Sequence, residues 1–279
     1  MFVAIRHRGC FTPPVAYLEI RDLTKHFTKK AGGLLNPRTD TVKAVDGVSL
    51  DIEKGEILGL VGESGCGKST LSRMIMQLIP PTSGSIILNA ENLSLLDHSE
   101  VRKRRLDFQM VFQDPYASLN PRMTVFSTLA EAVRQRHPKL KGAPLEKKVA
   151  ELMSTVGLDD SQMRRYPHEF SGGQRQRIAI ARALAPEPKL IIADEPVSAL
   201  DVSIQSQILN LLKKLQQDLG LTMVFISHDL GVVHYVADRI AVMYKGKIVE
   251  IGSADEVFHA PKDAYTQRLL ASIPLLQAH

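Results

Sequence analysis

The chain has 279 residues, a net charge of +5, 44% hydrophobic and 23% charged residues. That composition belongs to a globular protein of one large domain, or of a domain with a small appendage, and it excludes a fibrous or wholly disordered chain. Apolar runs such as Ile57–Val61 and Met223–Ile226 fall far short of the roughly 20 residues that span a bilayer, and so mild a positive charge does not mark a nucleic-acid binder.

The segment from Met1 to Thr12 carries Arg6, His7 and Arg8 but lacks the continuous apolar stretch of a signal peptide. Residues 1–16 are expected to be a frayed tail. The two cysteines, Cys10 and Cys66, are far apart, which argues against a disulfide framework and for a reducing compartment.

Tyr17–Arg21 reads as a strand, and the Gly-, Pro- and Lys-rich stretch from Lys29 to Thr41 as a loop. Val48–Ile52 alternates with period two. After a turn at Lys54-Gly55, Glu56–Val61 is nearly all apolar, which suggests a sheet edge leading into a buried central strand. A helix from Lys68 through Leu78 follows and is stopped by Pro80-Pro81. Ile86–Leu88 is a further strand. The cluster Arg102-Lys103-Arg104-Arg105 reads as a solvated helix face rather than a nucleic-acid patch.

Gln109–Gln113 is a short strand leading to Asp114-Pro115. From Asn120 to Tyr166 the pattern is helical and charged, with breaks at Pro138 and Pro144, so a helical insertion is expected over about 114–170. A helix over Gly173–Leu184 and a strand over Leu190–Asp194 come next. Ser203 is expected to cap a helix whose apolar residues Ile204, Ile208, Leu211, Leu212 and Leu215 follow the 3.6-residue period. The strand Met223–Ser227, the helix Leu230–Val236 and a hairpin of Ile240–Tyr244 with Lys247–Ile251 complete the series. Alternating strands and helices imply an α/β protein with a parallel sheet.

Gly62-Glu63-Ser64-Gly65-Cys66-Gly67-Lys68-Ser69-Thr70 contains the full phosphate-loop pattern, in the required place between strand and helix. A random chain of this length shows the pattern roughly once in a hundred. Its glycines let successive N–H groups converge on phosphates, and the helix begins with its positive dipole end toward the same anion. Lys68 would reach the β- and γ-phosphates and Ser69 would ligate Mg²⁺. Cys66 either is a small residue that fits the loop or, beside amides and Lys68, is drawn toward the thiolate.

The apolar run Leu190–Ala193 ends in Asp194-Glu195. Alone, this is equally a strand meeting a polar loop. Beside a phosphate loop, Asp194 would bind Mg²⁺ and Glu195 would polarise the attacking water. Ser171-Gly172-Gly173-Gln174 opens a helix and offers a second anion-binding helix end.

These segments together resemble the ATP-binding subunits of ABC transporters over roughly residues 17–260. The resemblance implies an α/β fold: a P-loop NTPase core with a mostly parallel sheet, an N-terminal antiparallel β subdomain and an inserted α-helical subdomain. It implies that Gln113, in Val111-Phe112-Gln113-Asp114, touches Mg²⁺ or the water, and that His228, in Ile226-Ser227-His228-Asp229, contacts the γ-phosphate. Asp201, in Ser198-Ala199-Leu200-Asp201, would lie in a loop crossing a dimer interface. Phe27 would stack on adenine, with Tyr17 as the competing aromatic. Ser171, Gly172, Gly173 and Gln174 would cap the ATP held by an opposing subunit; here Phe170 stands where the family usually has Leu.

Two further segments, Gln113–Arg122 and Ala260–Leu270, resemble the dipeptide, oligopeptide and nickel importer ATPases, and among them the second, F-type member. That resemblance implies ATP and Mg²⁺ as cofactors and a place at the cytoplasmic face of the inner membrane. The implied partners are a second ATPase subunit (a paralogue or a second copy), two transmembrane permease subunits and, through them, an extracytoplasmic solute-binding protein, with no nucleic acid. Residues 261–279 would be a short C-terminal tail of the importer type. Peptide import is the leading reading, with nickel or another small solute as the alternative.

Overall fold

The computed structural model describes residues 16–31 and 38–272. Cys10, nearly all of the expected N-terminal tail and residues 273–279 lie outside the described residues. Along the chain, β1 (Leu18–Ala31) and β2 (Arg38–Ile52) are followed by β3 (Ile57–Val61) and α1 (Lys68–Ile75). Then come β4 (Ser83–Leu88), β5 (Glu91–Asn92), α2 (His98–Arg104) and β6 (Phe108–Val111). Four helices follow: α3 (Pro115–Ser118), α4 (Val125–Arg136), α5 (Ala143–Thr155) and α6 (Gly172–Leu184). β7 (Leu190–Asp194), α7 (Val202–Leu219), β8 (Thr222–Ser227) and α8 (Leu230–Val236) alternate before the hairpin of β9 (Arg239–Tyr244) and β10 (Lys247–Ser253). The last elements are α9 (Ala254–His259) and α10 (Ala264–Ala271).

The strands form two sheets. One is antiparallel, in the order β2-β1-β4-β5; the other runs β10-β9-β3-β8-β7-β6 and is parallel except for the β9–β10 hairpin. The alternating strand β2 and the apolar strand β3 thus belong to different sheets. β3, β7 and β8 are buried along their whole length, as strands covered on both faces must be. Their alternate side chains serve two cores. Leu58, Leu60, Ile192 and Val224 pack with β1, β2, β4 and α1. Val61, Ile191, Met223 and Phe225 pack beneath the helices.

Local chemistry explains most boundaries. α2 starts in a capping box of Asp97 and Glu100, and its Arg102, Lys103 and Arg104 face solvent. Pro144 does not break a helix but sits in the first turn of α5, where no amide hydrogen is needed. α7 is N-capped by Asp201 rather than by Ser203, which lies inside the helix. α1 stops three residues early because Gln77 turns to a positive φ of 52°. The region expected as a loop over Lys29–Thr41 carries paired strand on both sides, with Thr28 opposite Thr41 and Lys30 opposite Thr39; residues 32–37 lie outside the described residues. Ladder bonds across the ribbon override the weak strand propensity of its polar residues. α9 and α10 were not expected, although the Ser253/Glu256 capping box is a legible start signal.

Gly59 positions a helix on the central sheet. A Cβ there would lie 2.1 Å from Val233 Cγ1 and 3.0 Å from Ala237 Cβ, so α8 rests on the bare backbone of β3. Gly59→Val should destabilise the chain by about 1–3 kcal/mol through overpacking, seen as a lower urea midpoint. An unchanged midpoint would show that α8 can retreat without loss.

Candidate nucleotide site

The phosphate loop leaves β3 at Val61 and is wedged between two backbones. Gly62 has φ 157°, and a Cβ on it would approach Met243 O to 2.2 Å. Gly67 has φ 118°, and a Cβ there would lie 2.2 Å from Ala44 O. No side chain fits at either place. The Gly246 amide donates to Cys66 O at 2.8 Å, and the Asp46 amide to Gly246 O at 2.8 Å, so the β9–β10 turn and β2 grip the loop together.

The resulting cleft, of about 350 Å³, is lined by Ser64 through Thr70, Val42, Lys43, Ala44, Glu195, Lys245 and Gly246. Gly62 and Glu63 lie outside this lining. Lys68 is buried, and its ammonium donates to Gly62 O at 2.5 Å and Glu63 O at 2.9 Å. The β2 and hairpin-turn residues were missed from sequence. Lys245-Gly246 was legible as a turn, but nothing local says that this turn faces the loop.

Three strands of the parallel sheet deliver polar residues from their carboxyl ends to one point, the usual ligand crevice of such sheets. The Gln113 amide, beyond β6, donates to Glu195 Oε2 at 3.1 Å. The His228 Nδ1, beyond β8, lies 3.4 Å from the same oxygen. Glu195 itself has a positive φ of 47°, a strained conformation for a non-glycine residue, and its amide donates to Ile226 O at 2.9 Å.

Asp194, at the end of β7, is buried. Burial pushes its carboxyl up from the ordinary 3.8, and the charge of Glu195 adds to the rise. Ser69, Gln113 and Asp194 share a neighbouring cleft of about 420 Å³ with Arg73. Hydroxyl, amide oxygen and carboxylate are the donors a hard cation takes, and a buried carboxylate beside a second one favours positive charge. This donor set fits Mg²⁺.

The structure separates other expected residues. Tyr17 is 6% exposed, and its phenol is pushed up to about 12 by burial, so it offers no face to a base. Phe27 is 43% exposed, with the Lys25 ammonium 5.3 Å from its ring centre. It pairs with Val42 across the β1–β2 ribbon, one residue outside the cleft lining. Burial pushes the Cys66 thiol up, outweighing the nearby Lys68 charge. Of the two readings, this favours Cys66 as a small buried residue that fits the loop.

Ser171, Gly172, Gly173, Gln174 and Asp201 line none of these clefts. Ser171 caps α6 and accepts from the Gln174 amide, while Gln174 Oε1 accepts from the Ser171 amide. The Gly172 and Gly173 amides remain at the helix start, where intrahelical partners do not exist.

The sequence profile described as ABC transporter matches residues 45–198. The chain is 54% identical over 263 residues to the oligopeptide transport ATP-binding protein OppF of Bacillus subtilis, covering 92% of this chain and 82% of that protein. It is 53% identical over 260 residues to OppF of Salmonella typhimurium, covering 92% and 78%.

The chain belongs to the ABC transporter family. It is an ATP-binding, ATP-hydrolysing cassette. Among solved structures, it superposes with a TM-score of 0.73 and 32% identity on the ATP-binding cassette MJ0796, a dimer in a post-hydrolysis state bound to ADP and Pi. That match covers 85% of this chain and 98% of the other. The antiparallel sheet, the mostly parallel sheet and the helical region between β6 and β7 are the cassette architecture expected from the sequence.

In this cassette the buried Asp194 carries a stability signature. Its folded carboxyl titrates above its unfolded value, so its contribution is full below the ordinary 3.8 and is lost as pH rises through the folded value. Asp194→Asn should therefore raise the urea midpoint of the nucleotide-free chain at pH 7 and lose that advantage below about pH 4. A variant no more stable than wild type at pH 7 would contradict the desolvation of Asp194.

Proposed function

We propose that this cassette powers oligopeptide import, at the cytoplasmic face of the inner membrane, by closing on ATP against a second ATPase chain. The observation that carries the closure is the separation of two half-sites. The phosphate loop and the acidic strand ends share one cleft system, and the Ser171–Gln174 helix start lies outside it. An opposing chain is needed to bring a helix start of that kind onto the exposed side of the nucleotide. The substrate class rests on relatives named for oligopeptide transport at 53–54% identity.

In this reading Gly62–Thr70 cradles the phosphates, and Lys68 neutralises the β- and γ-phosphates. Ser69, Asp194 and Gln113 would hold Mg²⁺, which would supply positive charge to the phosphate oxygens. Glu195 accepts a proton from the attacking water, and His228 and Gln113 fix its carboxylate through the contacts described. Phe27 supplies the face for adenine. Ser171 and the Gly172 and Gly173 amides cap the γ-phosphate of the opposing site, with Gln174 securing the cap, and Asp201 lies at the interface.

Two transmembrane subunits would dock over the helical region. A cleft of about 530 Å³ runs between Met76 and Leu78 (just beyond α1), β6, α4 and α6. The Gln113–Arg122 segment borders it, and Tyr116 carries the Arg175 guanidinium 3.9 Å from its ring centre. Arg175 also donates to Pro167 O and His168 O. A push on this segment is thereby passed to α6 and its Ser171–Gln174 start. The extracytoplasmic binding protein acts through the membrane subunits.

Glu195→Gln should retain ATP binding by equilibrium dialysis and slow hydrolysis at least about 10²-fold, as loss of a positioned base does. Undiminished turnover would remove Glu195 from the mechanism. In the assembled transporter, Ser171→Arg should leave ATP binding intact and stop ATP-dependent closure and peptide uptake. Normal uptake by that variant would refute the capping role.

A further inference from the structure

The phosphate loop is also held from behind by the C-terminal helix. The Glu63 amide donates to the Tyr265 hydroxyl at 2.9 Å across 202 residues of sequence. Glu63 lies outside the lining of the phosphate cleft, and its amide is taken by the Tyr265 hydroxyl instead. The same peptide unit carries the Gly62 carbonyl, which accepts from the Lys68 ammonium at 2.5 Å. One rigid peptide plane therefore has Tyr265 at one end and Lys68 at the other.

Tyr265 is well placed to hold that plane. It is 4% exposed. Its ring lies 4.1 Å, centre to centre, from that of Tyr244, immediately before the Lys245-Gly246 turn that grips Cys66. Asp263 caps the helix start by accepting from the Tyr265 amide at 2.7 Å, and Glu250 of β10 accepts from the Lys262 and Asp263 amides. The strand, the helix cap and the phenol thus form a continuous support ending at the loop.

We infer that Tyr265 is a positioning residue for nucleotide binding: its hydroxyl orients the Gly62–Glu63 peptide and through it Lys68, so that ATP affinity depends on the docking of the C-terminal helix. This rests on the reading of Gly62–Thr70 as the phosphate cradle. A packing role alone would need only the ring; the positioning role needs the hydroxyl.

The test is Tyr265→Phe in the full chain, which keeps the ring and removes the acceptor. Dissociation constants for ATP and ADP, measured with a fluorescent analogue in competition, should both rise roughly five- to tenfold, the factor that one hydrogen bond of ordinary net strength carries. The Glu63 amide proton should move upfield in the nitrogen–proton NMR spectrum, while the urea midpoint falls only slightly, as for the loss of one hydrogen bond. Unchanged affinity for both nucleotides would overturn the inference, as would a lowered midpoint with unchanged affinity.

Lys68→Ala separates this inference from the reading beneath it. If that variant binds ATP like wild type, the cradle reading fails. If it loses ATP while Tyr265→Phe binds normally, only the role of Tyr265 fails. Should Tyr265→Phe not fold, hydrogen exchange in the wild-type chain decides. A protected Glu63 amide without nucleotide supports the contact, and exchange at the rate of an open loop overturns it.

Discussion

The close backbone packing around the phosphate loop is the constraint on which the rest of the site depends. Gly62 lies against the Met243 carbonyl and Gly67 against the Ala44 carbonyl, with no room for a Cβ at either. That contact fixes the loop against two sheets at once, because β2 belongs to the antiparallel sheet and β9 to the parallel one. It also fixes where α1 begins, and with it the direction of the helix dipole toward a bound anion. A larger residue at either glycine would have to part the two sheets.

The proposed catalytic cluster follows from the order of the parallel strands. β6, β7 and β8 are neighbours, so the residues beyond their carboxyl ends meet although they are distant in sequence. Gln113 and His228 both approach one oxygen of Glu195, and the strained backbone of Glu195 holds its carboxylate at their meeting point. Asp194 faces the other way, toward Ser72 and the α1 side. Two adjacent carboxylates are thus given different surroundings, one buried and set for a cation, the other held among polar partners.

What was legible in the sequence was chemistry carried by consecutive residues. Gly62–Thr70, the apolar run into Asp194-Glu195 and the Ser171 capping box each declare themselves within a few positions, and β7 and α8 fall where the pattern put them. Contacts that arise only from tertiary packing were not legible. Val42, Lys43 and Ala44 wall the cleft because β2 crosses it, and Tyr265 reaches Glu63 because the segment leading into α10 is tied to Glu250 of β10. The β1–β2 ribbon extends through residues whose composition signals a loop, since each strand supplies the other's hydrogen bonds. The choice between Tyr17 and Phe27 was likewise one of burial, which composition does not encode.

In the proposed function this chain contributes two half-sites that never serve the same nucleotide. The direct measurement is site-specific photocrosslinking from position 171 in the assembled transporter, in the Glu195→Gln background so that ATP persists. An ATP-dependent crosslink to the phosphate loop of the opposing ATPase chain is expected, absent without nucleotide. A crosslink confined to this chain's own phosphate loop, or none to the opposing chain with ATP bound, would contradict it.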